Sequence, residues 1–163
     1  GSYGSTLEAV VQREISSQVA RIEEQIEASG GNPAFVNRLG VLYARYGLYD
    51  RAMEEFASLA DGQDYGPAMV NAANIYYLRE EYARSLRYYS MAANTLADPT
   101  KAKLGIARAQ YQLENYAAAK QNYADVAEAD PDLAERFAHL GSAGSDGARA
   151  SSAADRGPAV WEE

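Results

Sequence analysis

A short phrase returns three times at a spacing of 33 or 34 residues: Tyr49, Ala52 and Phe56 are echoed by Tyr82, Ser85 and Tyr89, then by Tyr116, Ala119 and Tyr123. A period of this size is the mark of stacked helical hairpins. In such units a small residue sits where two helices touch and an aromatic where they wedge apart, and no unit buries its apolar face without a neighbour. The repeat therefore points to an all-α fold with an extended surface rather than an enclosed catalytic pocket. Helix punctuation keeps the same step. Asn32-Pro33, Gly66-Pro67, Asp98-Pro99 and Asp130-Pro131 use four of the five prolines, and a first-turn proline gives up only an amide hydrogen that has no intrahelical partner. Together the two signals predict three hairpins, 33–46 with 49–61, 67–79 with 82–95 and 99–113 with 116–129, then a capping helix from Pro131 to about Leu140.

Ahead of the repeats, Leu7, Val11, Ile15, Val19, Ile22 and Ile26 form one apolar stripe at helical spacing, which predicts an amphipathic helix packed on the first hairpin or used for self-association. Beyond Gly141 the composition turns to Gly, Ser and Ala, as in a flexible tail with too little apolar content to fold. The expected organisation is an N-terminal helix over 1–31, a repeat domain over 32–141 and a tail over 142–163. With 47% hydrophobic residues a continuous core can form between hairpins. A formal charge of -8 argues against a nucleic-acid partner, since phosphate binding needs basic surface. There is no cysteine, so disulfides and thiolate metal sites are excluded and the redox compartment stays open. No apolar run approaches the roughly 20 residues that span a bilayer. Gly1-Ser2 resembles an expression scar, so a leader or lipid anchor ahead of it, and the compartment, are left undetermined.

Leu39-Gly40, Tyr43, Gly47, Tyr49, Ala52 and Phe56 resemble the tetratricopeptide repeat family almost throughout its pattern. The second unit keeps Tyr76, Tyr82 and Tyr89 with Ala72-Ala73 at the Leu-Gly pair. The third has Ile106-Ala107 and Gln110 there but retains Tyr116, Ala119 and Tyr123. The resemblance covers residues 33 to 141 and implies a right-handed superhelix of three hairpins, whose first helices line a concave groove that holds a peptide or a segment of another protein.

The residues of those first helices sharpen that expectation. Segments 33–46, 66–79 and 100–113 hold no aspartate or glutamate, although an even scatter of the chain's 23 acids would put about six there. They hold Arg38, Arg45, Arg79, Lys101, Lys103 and Arg108 instead, so a positively charged groove is expected. Helical spacing gathers Asn37, Arg38 and Arg45, then Asn71, Asn74 and Tyr77, then Lys101, Arg108 and Tyr111 into one candidate peptide-binding stripe. Asparagine offers a donor and an acceptor to an extended backbone, arginine grips carboxylates and tyrosine supplies contact area with few rotamers to freeze. The alternative for Tyr77 and Tyr111 is padding between hairpins. Alanine at Asn71 and Arg108 is expected to weaken peptide binding and leave the melting temperature nearly unchanged. Asn71 and Lys101 also fall in two of five places used by one tetratricopeptide subgroup to clamp chaperone C-termini. The other three are not reproduced, which leaves a looser carboxylate site on Arg38 and Arg108.

The single tryptophan lies in Val160-Trp161-Glu162-Glu163, an aromatic with acidic neighbours that suits such a groove. About 20 residues of linker reach roughly 65 Å when extended, enough for the chain's own groove or a neighbour's. No catalytic constellation is present: the one histidine, His139, has no cysteine partner, and a nucleophilic triad needs a positioned base. Gly141, Gly144 and Gly147 match no phosphate-binding spacing. The expected function is a noncatalytic interaction module without cofactor or metal, binding an extended acidic or C-terminal peptide. The alternative is self-assembly through the N-terminal helix or tail-in-groove exchange.

Overall fold

The computed structural model describes residues 2–142 and 159–163, and the linker expected beyond Ser142 lies outside these through residue 158. Among the described residues the chain is all-helical, and it divides into two compact units, Gly1–Gln63 with Glu163 and Asp64–Glu162.

The first unit holds α1 (Ser2–Ala28), α2 (Pro33–Arg45) and α3 (Tyr49–Gly62). Proline opens α2 and the Asn32 side chain accepts from Ala34 N–H at 3.0 Å, a cap of the kind the sequence announces. The stripe of α1 faces α2, with Ile15 fully buried and Val11, Val19, Ile22 and Ile26 partly so, while Leu7 stays 56% exposed. Helices α2 and α3 close on each other at Gly40, where an added Cβ would run into the Phe56 ring. The glycine is therefore a packing requirement.

The second unit holds α4 (Gly66–Leu78), α5 (Tyr82–Thr95), α6 (Thr100–Gln112) and α7 (Tyr116–Ala129), followed by α8 (Pro131–Glu135) and a 3-10 turn, Ala138–Ser142. Each helix packs on the next and α4 also touches α6, so two hairpins are stacked. The small residues of the repeat, Ala52 in the first unit and Ser85 and Ala119 here, are all 0% exposed. Ser85 also donates to the Ala73 carbonyl at 3.0 Å, pinning α5 to α4. Inside all three hairpins the turn ends the first helix the same way. Residues Gly47, Glu80 and Glu114 take φ of 75°, 61° and 62°, and the following amides of Leu48, Glu81 and Asn115 reach back to Tyr43, Tyr76 and Gln110. This is a left-handed helix stop that glycine enters freely and glutamate enters at a cost.

One expectation needs correction. The capping helix is not continuous to Leu140: after Glu135 the amides of Arg136, Phe137 and Leu140 bond three residues back, to Leu133, Ala134 and Phe137. Tighter winding eclipses positions three apart, which drives Phe137 and Leu140 together into a cluster with Leu104, Ala107, Tyr111, Ala119, Val126 and Ala134. The Tyr123 hydroxyl donates to the Ala134 carbonyl at 2.9 Å and holds the cap down.

Candidate functional site

Helix α4 is buried from Ala68 to Ile75 and again at Tyr77, so it needs neighbours on every side. Helices α5 and α6 cover two sides, and residues 160–162 lie along the face that carries Asn71 and Asn74. Asparagine is a poor helix former, and burying its amide without partners is costly. Both residues are nonetheless almost inaccessible, 0% and 4% exposed. Their partner is main chain. Asn71 Nδ2 donates to the Glu162 carbonyl at 2.7 Å and Asn71 Oδ1 accepts the Glu162 N–H at 2.8 Å, so one side chain occupies both backbone groups of one residue. Asn74 Nδ2 donates to the Val160 carbonyl at 3.0 Å, and its Oδ1 accepts from the Tyr89 hydroxyl, which turns the amide group toward the segment. Lys101 Nζ lies 3.5 Å from the Trp161 carbonyl. Carbonyls 160 and 162 thus face α4 while 161 faces α6, the alternation of an extended strand.

The side chains of the segment divide between apolar burial and charge. Val160 packs against the cluster formed by α6, α7, α8 and the 3-10 turn. Glu162 lies 3.7 Å from Lys101 Nζ, yet its pKa is raised above the ordinary 4.5, because burial outweighs the attraction of Lys101 and Asp98 adds repulsion. The docked segment therefore binds a proton more tightly than a free one. Docking is strongest below the ordinary carboxylate value and weakens as pH rises through the raised value. A pH titration of Trp161 emission should show this loosening toward neutral pH and lose it in Glu162→Gln; an unchanged titration in that variant rejects the assignment.

Within the second unit the cations of α6 do not form one surface. Lys103 points away from the segment to Asp125 of α7 at 3.3 Å. Arg108 is 3% exposed, its guanidinium 4.6 Å from the Tyr77 ring centroid and 4.8 Å from that of Phe137. It stacks α4, α6 and the cap together. The expectation that alanine at Arg108 leaves the melting temperature unchanged is thus revised, since the side chain is part of the packing. Tyr77 and Tyr111 are buried, at 6% and 0%, with ring centroids 5.2 Å from Tyr82 and Tyr116 respectively, and Tyr111 also meets His139. Padding is what both rings do here. In the first unit Asn37 is 0% exposed, Arg38 is exposed with its guanidinium 5.3 Å from the Phe35 centroid, and Arg45 Nη1 lies 3.6 Å from a Glu163 carboxylate oxygen. An exposed pair of this kind adds about 0.2–1 kcal/mol.

Two participants were not singled out from sequence: Val160 as an apolar anchor and Tyr89 as the group that orients Asn74. The second left a signal, because Tyr89 adds a hydroxyl where the first repeat has Phe56. Elsewhere, a shallow dent of about 260 Å³ in the first unit runs between α1 and the α2–α3 turn, lined by Leu7, Val11 and Tyr46 among others. Among the described residues no cluster of His, Asp and Glu could hold a metal ion, and no helix is long and apolar enough to cross a membrane.

No protein-family model matches the chain. Over 104 residues, 63% of its length, it is 30% identical to the Protein CTR9 homolog of Arabidopsis thaliana. The match covers 10% of that protein, so the chain spans about a tenth of the relative.

Proposed function

We propose that the chain is a noncatalytic binding module of tetratricopeptide type, which takes an extended peptide with an acidic residue along α4 and α6 of the second unit. The observation that carries this reading is the pair of hydrogen bonds from Asn71 to both backbone groups of Glu162. A side chain that binds main chain is indifferent to the residue bound, so Asn71 and Asn74 supply affinity for extended backbone. Selection falls to what flanks them: an apolar seat for Val160, and the Lys101 ammonium near Glu162, which offsets part of the cost of burying that carboxylate. Val160 is partly buried, so it contributes only part of the about 1.5–3 kcal/mol of a fully buried valine, beside a charge pair at about 0.2–1 kcal/mol. Affinity is therefore expected to be micromolar and only mildly salt-dependent.

The test uses the full chain with Val160→Asp and Trp161→Ala, which unseat its own segment, and a fluorescein-labelled peptide of the sequence 157–163. Saturable binding that is lost when Asn71→Ala is added supports the reading. Absence of binding, or binding indifferent to Asn71, rejects it.

A further inference from the structure

The segment that shows how the site binds also fills it. Asn71, Asn74 and Lys101 all hold residues 160–162 of the same chain, and Val160 covers the apolar cluster at the cap. Every group an external peptide would use is engaged. Sixteen residues, 143–158, join Ser142 to Ala159, and a tether of that order gives a local concentration of roughly 1 mM. A competitor in solution must exceed that.

We propose that residues 160–162 are a tethered competitor, keeping the site closed to all but peptides of the same chemistry: extended main chain with an apolar residue two places before a carboxylate. The inference rests on the binding reading above. The spacing follows from the strand-like alternation, since positions 160 and 162 present both carbonyls to α4, while their side chains meet the cap cluster and Lys101. A peptide with aspartate in place of Val160 would lose the apolar packing on the cap cluster and draw a charge partly out of water there, which lowers affinity. Raised pH loosens the tether through Glu162, but an external glutamate at the same position meets the same penalty. The chemistry thus favours neither occupant, and the advantage of the chain's own segment is its tether alone.

The experiment compares anisotropy titrations of the labelled 157–163 peptide on wild-type chain and on the Val160→Asp/Trp161→Ala chain, with sedimentation at each concentration. With an intrinsic affinity on the order of 10 µM, the tether should make wild type about 100-fold weaker than the open variant. A peptide carrying aspartate at the Val160 position should bind neither. Equal, tight binding to both chains overturns self-occlusion and leaves the binding reading intact, whereas no binding to the open variant rejects that reading first. Wild type that sediments as a dimer, while the open variant is a monomer, overturns the tether in favour of exchange between chains.

Discussion

Gly105→Ala should lower the melting temperature by roughly 5 °C and loosen the peptide site with it. Taken alone, the change looks stabilising, because glycine within a helix costs roughly 1 kcal/mol relative to alanine. Position 105 reverses the sign. A Cβ there would fall within the Tyr89 ring, and that ring is 2% exposed, packed where α5 meets α6. It has nowhere to swing, so the helices must part. Overpacking of this kind costs about 1–3 kcal/mol and sometimes more, outweighing the propensity gain, and each kcal/mol moves the midpoint by roughly 2–4 °C in a chain of this size. Because the Tyr89 hydroxyl orients the Asn74 amide toward Val160, displacing the ring should also shift Trp161 emission at temperatures where the fold persists. An unchanged midpoint would show that α5 and α6 have slack that the packing denies.

Asn71→Ala should release residues 160–162 and spare the rest of the second unit. Two hydrogen bonds disappear at once, each with a net worth of about 0.5–1.5 kcal/mol, so docking should weaken roughly 10- to 100-fold. Alanine leaves no orphaned polar atom on α4, which distinguishes this change from one that strands a buried group. If the whole loss falls on the unfolding midpoint, the melting temperature should drop by roughly 2–12 °C. The readout is specific, because Trp161 is the one tryptophan and the Glu162 amide hydrogen is the proton that Asn71 accepts. Red-shifted emission together with lost exchange protection at Glu162 is the expected result; a Glu162 amide as protected as in wild type contradicts the assignment.

The bounds of the six hairpin helices were legible to within about one residue, because prolines, caps and the aromatic period are local signals that recur three times. Asn71, Asn74 and Lys101 were legible as one stripe for the same reason: spacing along a helix fixes which side chains share a face. Spacing does not fix depth. Arg108 belongs to that stripe by number, yet Tyr77 and Phe137 close over it. Lys103, two residues after Lys101, turns to Asp125 instead. The break in the last helix was equally invisible, since it follows from the seating of Phe137 and Leu140 rather than from any breaker residue.

The sequence by itself determined the repeat, the helices and the chemical character of α4, all of which depend on neighbours within a turn or two of the chain. Only the tertiary structure decided that Val160 and Glu162 meet residues 86 and 91 positions earlier, and that glycine at 105 is obligatory. Contacts at such separation depend on where whole helices come to rest, and periodicity carries no information about what later settles on a face.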